Sequence, residues 1–362
     1  MIKNNIEQSI NGNQLLFVAR SWSNRGQNTD FRHFFNFFPG SINITNTISL
    51  KFDNIIYRKL KSIANHDGYS SLSVALELEV LKKSLIHHPK LIHFWFADHD
   101  YHFSSYTARL IGAKLIGNFF FSIDEFEYRM PEKKHLNHLD LITASGKKQM
   151  EYLSSFIPDE KIVFLPLGID TEFFKPPNNQ ISRISDPPII LHVGSNRRDF
   201  ITLKKVFMLV QKEIPNIKFE LVGGQKVEYM FTDIENITFH PFVTDNDLLK
   251  IYQNASLLIL PLLEGGSSQT FNEAMATGLP IITNDLPNLE DYILKGTVLL
   301  SPKGNAESMA SHCCNLLKNR KLWDEMSRKA RRHSKKYDFK EIRKKLVNIY
   351  REYLSIEIIG DS

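Results

Sequence analysis

Apolar residues in this chain fall into short runs that alternate with longer stretches of helical periodicity. Runs rich in β-branched and aromatic residues recur in both halves of the chain, at residues 15–20, 91–97, 117–123, 139–145, 188–195, 217–224, 236–242, 255–262, 279–285 and 297–302. Between them, stretches such as 201–215 and 244–255 carry apolar residues every three or four positions, the period of an amphipathic helix. Strands that alternate with helices predict an α/β fold with parallel sheets.

One segment interrupts this alternation and predicts a domain boundary. Residues 175–188, KPPNNQISRISDPP, are rich in Pro, Asn and Ser and lack apolar periodicity, as expected of a linker. We therefore predict a doubly wound domain over residues 1–178 and a second one over 179–335. The remaining residues, 336–362, are expected to form a C-terminal helix that packs back on the first domain.

Composition narrows the class of protein. With 362 residues, 42% of them hydrophobic and 23% charged, the chain is long enough for two cores. No apolar run approaches the roughly 18–20 residues of a membrane span, and the first residues lack the apolar stretch of a secretory signal, so we expect a cytoplasmic location. Cys313 and Cys314 are adjacent in a helical pattern, which predicts packing residues and no disulfide framework. The net charge of +5 permits an anionic partner without showing one.

The segment 255–285 contains the parts of an anion-binding site in the required order. A buried strand ends at Pro261, a glycine-rich loop holding Glu264 follows, and a helix is predicted to begin near Gln269. In doubly wound sheets, ligands bind where strands end and helices present unpaired N–H groups with about half a positive charge. A diphosphate is a natural ligand for such a place.

Each residue of this loop has a possible role in holding a nucleotide. Gly265 and Gly266 let the backbone approach a ligand closely, and the N–H groups near Ser268, Gln269 and Thr270 are available to phosphate oxygens. Glu273, one turn into the helix, is able to accept hydrogen bonds from ribose hydroxyls. The alternative is an ordinary glycine-rich turn with a capping serine and a solvent-facing glutamate. The residues alone leave both interpretations open.

The string EGGSSQTFNEAMATGLPIIT, residues 264–283, resembles the signature of the retaining group-one glycosyltransferases of GT-B fold, in which two glutamates bracket a glycine-rich loop. Residues 139–176, 190–207 and 236–261 resemble further stretches of that family in the same order. The resemblance covers roughly residues 139–350. It implies two Rossmann-like doubly wound domains that face a cleft, with the acceptor side in the N-terminal domain and the nucleotide-sugar donor in the C-terminal one.

The resemblance also implies roles for single residues. It places Glu273 on the donor ribose, the backbone N–H groups of Gln269 and Thr270 on the diphosphate, and Glu264 beside the transferred sugar. A basic pair near the first strand of the donor domain stabilises the leaving group in this family; here Arg197 and Arg198 occupy that loop, with Lys204 or Lys205 as substitutes. The implied donor-binding set is completed by Gly194, Val243, Gly265, Gly266, Ser267 and Ser268.

The sequence departs from the family pattern at three places. Glu264 and Glu273 enclose eight residues, whereas the family usually has seven. Gly194 is followed by Ser195, where the family usually has an arginine. Ser122 stands where many relatives carry a histidine.

The resemblance implies a hexosyltransferase that moves a sugar from a UDP- or GDP-sugar with retention of anomeric configuration, without a metal or other cofactor. The acceptor would be a glycan, a lipid-linked molecule or a small molecule, and synthesis of a bacterial surface polysaccharide or glycoconjugate is the usual destination. A non-catalytic nucleotide-sugar binding protein is the alternative. No GxGxxG follows a predicted strand, which argues against a nicotinamide dehydrogenase. The basic stretch 327–345 lacks the interleaved aromatics of a nucleic-acid binder.

Two further features bear on membranes. Phe31, Phe34, Phe35 and Phe38 share one helical face, and we favour a core-facing stripe over an exposed, lipid-facing one. The segment from Arg328 to Lys345 holds ten Lys and Arg residues. If the aromatic stripe were exposed, each of these charges would add on the order of 1 kcal/mol near an anionic leaflet, and the protein would be peripherally bound at the inner face of the membrane.

Overall fold

A computed structural model describes the chain over residues 8–20, 32–45, 55–177, 184–223, 225–265, 268–287 and 289–359. The chain divides into two compact units. The first, called the first domain below, comprises Met1–Pro166 and Ile342–Ser362, and the second domain comprises Leu167–Glu341.

The first domain is built on a six-stranded sheet in which every neighbouring pair of strands is parallel. The strands of the first domain, inside and outside this sheet, are β1 (Gln8–Ile10), β2 (Leu15–Val18), β3 (Ile42–Ile44), β4 (Leu91–Phe94), β5 (Lys114–Phe119), β6 (Leu141–Ala144), β7 (Ile162–Phe164) and β14 (Ile356–Ile358). The order across the sheet is β3-β2-β4-β5-β6-β7, while β1 and β14 form a separate parallel pair. Strands β2, β4 and β6 are buried at every position, as expected of strands covered on both faces.

Helices cover this sheet. They are α1 (Arg32–Phe35), α2 (Ile55–Ala64), α3 (Ser71–His87), α4 (Ala97–Asp100), α5 (Ser104–Ile111), α6 (Ile123–Arg129), α7 (Lys147–Ser154) and α13 (Phe339–Leu354), the last of which starts in the second domain. Helix α3 begins in a capping box between Ser70 and Ser73. It ends at His88, which has the left-handed conformation typical of helix C-termini.

The second domain has its own six-stranded parallel sheet, of order β10-β9-β8-β11-β12-β13. The strands are β8 (Ile189–Val193), β9 (Lys218–Val222), β10 (Ile237–His240), β11 (Leu257–Leu260), β12 (Ile281–Asn284) and β13 (Val298–Ser301). The helices are α8 (Phe200–Glu213), α9 (Asp245–Asn254), α10 (Gln269–Thr277), α11 (Ala306–Lys318) and α12 (Arg320–Ser334). Cys313 is fully buried in the core of this domain and Cys314 packs beside it, so the prediction that both are packing residues is confirmed.

The domains divide at Pro166 and Leu167, before the predicted boundary at residue 178. The reason is a set of hydrogen bonds to the intervening backbone. Asn272 and Gln269 of α10 donate to the carbonyl oxygens of Leu167 and Gly168, at 3.1 and 3.0 Å. Arg331 of α12 donates to the carbonyl oxygens of Thr171 and Phe174. The segment before the proline-rich stretch therefore belongs to the second domain.

The C-terminal part of α13 belongs to the first domain. The Tyr350 hydroxyl lies 2.6 Å from Nδ1 of His93 in β4, and both side chains are fully buried. Arg343 donates to the carbonyl oxygen of Phe37 at 2.5 Å. The described residues 342–359 thus complete a domain whose other elements all lie before residue 167 in the chain.

The phenylalanine-rich segment faces the core, as its helical spacing predicted. Phe34, Phe35 and Phe38 are at most 3% exposed, and the ring of Phe35 stacks on Phe17 of β2 with centroids 4.5 Å apart. Phe31 lies outside the described residues. The alternative of a lipid-facing aromatic surface at this place is therefore wrong, because these side chains fill the interior of the first domain.

Candidate active site

The strand order of the second domain indicates where a ligand would bind. Strands β8 and β11 are neighbours, and the chain winds outward from them in opposite directions, so the carboxyl ends of these two strands mark the switch point where doubly wound sheets bind ligands. The loop after β8 contains Arg197 and Arg198, and the loop after β11 contains Glu264. Sequence positions almost 70 residues apart thus meet at one edge of the sheet.

Backbone hydrogen bonds join the two loops. The N–H of Leu263 donates to the carbonyl oxygen of Arg197 at 3.0 Å, and the N–H of Asp199 donates to that of Pro261 at 2.9 Å. Arg197 itself has a φ of +55°, a conformation that non-glycine residues adopt rarely and often at functional sites. Its Nε lies 3.8 Å from Oε2 of Glu264, so the two side chains form a long ion pair, at 20% and 35% exposure.

Arg198 is held from three sides. Its Nε donates to the carbonyl oxygen of Val193 at 3.1 Å, Nη1 to that of Asn196 at 3.2 Å, and Nη2 to Oγ1 of Thr270 at 3.2 Å. Burial, together with the positive charge of Arg197, lowers the pKa of the guanidinium to about 10, while Tyr252 and Glu273 oppose this effect. Arg198 therefore remains a cation at neutral pH and is fixed in direction before any ligand binds.

Gly194 makes room for this arginine. Its φ is +90°, which favours glycine, and a Cβ added there would lie 3.0 Å from Nη2 of Arg198. Its N–H donates to the carbonyl oxygen of Val222 at 2.9 Å, which anchors the turn after β8 to β9. In the structure Gly194 leaves space for Arg198, and its predicted part in donor binding stays a prediction.

Glu273 lies inside the domain and not on its surface. It is 5% exposed, and its Oε2 accepts a hydrogen bond of 2.7 Å from the hydroxyl of Tyr252 in α9. Burial raises the pKa of Tyr252 well above its usual value, and the carboxylate of Glu273 raises it further, so the phenol remains a hydrogen-bond donor. The alternative of a solvent-facing glutamate is therefore wrong.

Tyr252 is a site residue that sequence reasoning missed. It shares a helical stripe with Leu248 and Ile251, and this spacing predicts only a core position. Its ring is fully buried and its hydroxyl reaches Glu273, 21 positions later in the chain. The helical pattern carries no signal for that partner.

Helix α10 begins at Gln269, where the sequence predicted a helix start, and Ser268 is its N-cap residue. The first N–H groups of a helix have no partner within the helix, and its N-terminus carries about half a positive charge. Residues 270–277 are buried throughout, so the helix is held firmly. Gly266 and Ser267 lie outside the described residues.

Position 265 has no room for a side chain, so a glycine is needed there. A Cβ at this position would lie 1.8 Å from the carbonyl oxygen of Pro287, closer than any real contact. A glycine therefore allows the loop that carries Glu264 to pass directly over the backbone that follows β12.

The other predicted residues lie further from this group. Val243 is half-buried between β10 and α9 and packs on the core. Strand β10, which precedes Val243, is two strands from β8, so the two strands lie roughly 10 Å apart across the sheet. Lys204, considered as a substitute for the arginines, instead pairs with Asp233 at 2.7 Å, while Lys205 is exposed on α8.

The corresponding edge of the first sheet holds a closed polar cluster. Buried Arg20, which follows β2, donates to Oδ1 of Asp100 at 2.8 and 2.5 Å and to Oγ of Ser73 at 2.8 Å. Ser122 accepts the N–H of Glu125 at 3.2 Å and forms a capping box at the start of α6. Its position at the end of β5 thus has a structural explanation.

Within the residues that the structure describes, His, Cys, Asp and Glu side chains form no group of three or more that is able to hold a metal ion. In the same residues, every helix is too short or too polar to cross a membrane.

The fold and the site together define a class of protein. Two parallel-sheet α/β domains, the second with two arginines, a glycine-rich loop and a buried glutamate at its switch point, are the GT-B architecture. Residues 187–319, most of the second domain, match the family described as "Glycosyl transferases group 1". The predicted resemblance to group-one glycosyltransferases is confirmed, whereas retention of anomeric configuration stays a prediction.

Two relatives agree with this assignment. The chain is 30% identical over 177 residues to an uncharacterized glycosyltransferase of Haemophilus influenzae, covering 46% of this chain and 49% of the relative. It is 23% identical over 237 residues to the capsular polysaccharide biosynthesis glycosyltransferase CapM of Staphylococcus aureus, covering 59% and 62%. The chain thus spans about half to three fifths of the length of these two relatives.

Structural similarity extends over almost the whole chain. Anabaena HepE, solved in complex with UDP and glucose, superposes with a TM-score of 0.64 at 13% identity and covers 94% of this chain and 99% of its own. At this identity the similarity shows the fold, and it confirms the GT-B prediction for both domains.

Proposed function

We propose that this chain is a glycosyltransferase that moves a sugar from a nucleotide-sugar donor to a glycan, lipid-linked or small-molecule acceptor with retention of anomeric configuration. The observation that carries the proposal is the convergence of the α10 N-terminus, the Arg198 guanidinium and the buried Glu273 carboxylate at the switch point of the second sheet. The group 1 family match of the same domain supports it.

The donor is proposed to bind with its diphosphate at the start of α10. Backbone N–H groups of Gln269 and Thr270 would donate to phosphate oxygens, and the helix dipole favours negative charge there. Glu273 would accept hydrogen bonds from the ribose hydroxyls. A carboxylate has about four acceptor positions, so the bond from Tyr252 orients Glu273 without using up its capacity.

The proposed chemistry needs positive charge at the leaving group. The bond between the anomeric carbon and the diphosphate oxygen breaks, the acceptor oxygen forms the new bond to that carbon, and the acceptor's proton passes to an oxygen of the departing diphosphate. Before that proton arrives, charge grows on the departing nucleoside diphosphate, and we propose that Arg198, Arg197 and the α10 N-terminus stabilise it. We propose that these groups act without a metal ion or further cofactor, and that Glu264 and Gly265, with Gly266, lie beside the transferred sugar.

A UDP- or GDP-sugar is the proposed donor, and UDP is the first to test because HepE was solved with it. We further propose a role in bacterial polysaccharide or glycoconjugate synthesis. The staphylococcal relative, which acts in capsular polysaccharide biosynthesis, supports that role.

The test combines donor binding with turnover. Purified protein is screened by thermal shift against UDP- and GDP-sugars, since a ligand at 100 times its dissociation constant adds about 2.7 kcal/mol of stability. The donor that stabilises the protein is then incubated with candidate acceptors, and NMR of the product gives the anomeric configuration. The matched variants are Glu273→Ala and Glu228→Ala, the latter at an exposed glutamate of the same domain.

We expect Glu273→Ala to abolish most of the donor-induced stabilisation and Glu228→Ala to leave it unchanged. Donor binding without transfer to any acceptor would favour the non-catalytic nucleotide-sugar binding protein. If no nucleotide or nucleotide sugar raises the melting temperature, or if both variants lose the shift equally, the proposed donor site is wrong.

A further inference from the structure

The first domain contains an apolar cavity that the donor site does not use. It has a volume of about 330 Å³, which falls in the roughly 300–1,000 Å³ range of ligand pockets. Three neighbouring helices, α2, α3 and α5, supply most of its wall. The lining side chains that matter here are Leu60, Val74, Leu78, Leu81, Tyr106 and Leu110.

The carboxylate of Glu77 and the phenol of Tyr69, which also line this cavity, already have partners. The buried carboxylate of Glu77 accepts N–H groups of His102, Phe103 and Ser104 through Oε1, at 3.0, 2.8 and 2.7 Å. The hydroxyl of Tyr69 donates to its other oxygen. An apolar chain that entered the cavity would therefore meet no unpaired charge, and it would contact mostly aliphatic and aromatic carbon.

Large apolar side chains also surround the mouth of the cavity. Leu78, Tyr106 and Leu110, which line it, are 46%, 66% and 68% exposed. Ile63 of α2 and Leu85 of α3 are 58% and 51% exposed on the same helices. In α3, the spacing of positions 78 and 85 puts both on one helical face, together with Leu81 of the cavity wall.

The charged side chains on these helices are mostly cationic. Six cationic residues lie on α2, α3 and α5, namely Arg58, Lys59, Lys61, Lys82, Lys83 and Arg109. The acidic residues of the three helices are the buried Glu77 and Glu79, whose carboxylate lies 3.8 Å from Nζ of Lys82. Exposed leucines within a cationic surround are the combination that binds an anionic bilayer surface.

We propose that this face of the first domain docks on an anionic lipid bilayer and that the cavity takes an acyl chain from it. The leucines and Tyr106 enter the acyl region while the lysines and arginines pair with lipid phosphates. This surface differs from the phenylalanine stripe, whose side chains are buried. The proposal does not depend on donor binding.

Co-sedimentation with vesicles tests the docking surface. The full chain should bind vesicles containing phosphatidylglycerol, bind pure phosphatidylcholine much more weakly, and lose affinity at high salt. The variant pair Leu78→Ser with Leu110→Ser, both at exposed positions, should weaken partitioning by about tenfold or more, since two leucine side chains leave the acyl region. Ile201→Ser with Met208→Ser, at exposed positions of α8 in the second domain, is the matched control and should bind like the parent chain.

Fluorescence tests the cavity itself. Tyr106→Trp places a reporter at the cavity wall, and Tyr128→Trp places one at an exposed position of α6. Vesicles with bromine at the middle of the acyl chain should quench Tyr106→Trp and leave Tyr128→Trp nearly unchanged. Protein that stays in the supernatant with every vesicle overturns the proposal, as does equal loss in the control pair or quenching of Tyr128→Trp alone. Thermal shift with the donor, measured on the same variants, separates this result from failure of the proposed donor site.

Discussion

Tyr252→Phe is the sharpest test of how the second domain orients Glu273. The substitution removes one oxygen and leaves the ring, which packs edge-on against Phe174 with centroids 6.2 Å apart. It deletes the 2.7 Å hydrogen bond to Oε2 of Glu273, a carboxylate that is 5% exposed. The perturbation therefore isolates a single polar contact inside a core that otherwise remains packed.

The expected magnitude follows from that burial. A hydrogen bond to a charged group contributes about 1.5–3 kcal/mol. For a domain of this size, roughly 2–4 °C of melting temperature correspond to each kcal/mol, so Tyr252→Phe should melt about 3–12 °C lower. Because the carboxylate would no longer be held towards the donor, we also expect donor affinity to fall by roughly 10-fold or more.

The assay is thermal unfolding of wild type and variant with and without the donor, together with the donor KM. Tyr229→Phe, at a 74% exposed tyrosine of the same domain, is the control and should change neither quantity. A variant with unchanged melting temperature and KM would refute the hydrogen bond's role. A lower melting temperature with unchanged donor affinity would remove Glu273 from the donor site while keeping its structural contact.

Three further outcomes are expected. Arg198→Lys keeps the charge but loses the three-sided hydrogen bonding, so kcat should fall by about 10- to 100-fold with little change in KM; a change confined to KM would show a simple positioning contact. Gly265→Ala should lower kcat in steady-state assays, because its Cβ would lie 1.8 Å from the Pro287 carbonyl oxygen and displace the loop; wild-type kinetics would contradict this. Burial lowers the pKa of His192 to about 3, below its value in the unfolded chain. The free energy of unfolding should therefore be highest above roughly pH 6.5, where the unfolded chain also carries a neutral His192. Below that pH it should fall by up to about 1.4 kcal/mol per pH unit, because only the unfolded chain takes up the proton. In urea unfolding, the free energy of unfolding of His192→Asn should depend less steeply on pH between pH 6.5 and 5 than that of the wild type. The same slope in both proteins would contradict this role of His192.

The sequence alone determined the architecture of both domains. Apolar runs that alternate with helical stretches predicted ten strands of the two parallel sheets, and the segment 255–285 predicted the strand, the loop with Glu264 and the helix with Glu273. These features are local, because strand and helix periods and glycine loops are properties of neighbouring residues. The phenylalanine stripe was predictable for the same reason.

Tertiary structure decided the rest. The hydroxyl of Tyr252 reaches Glu273 because α9 and α10 pack against each other. Arg198 reaches Thr270, 72 positions away, because β8 and β11 are adjacent in the folded sheet. The domain boundary at Leu167 depends in the same way on side chains of α10 that bind a distant backbone. A helical pattern states that a residue is buried, but the partner of its polar atom depends on which elements the fold brings together, and no local pattern contains that information.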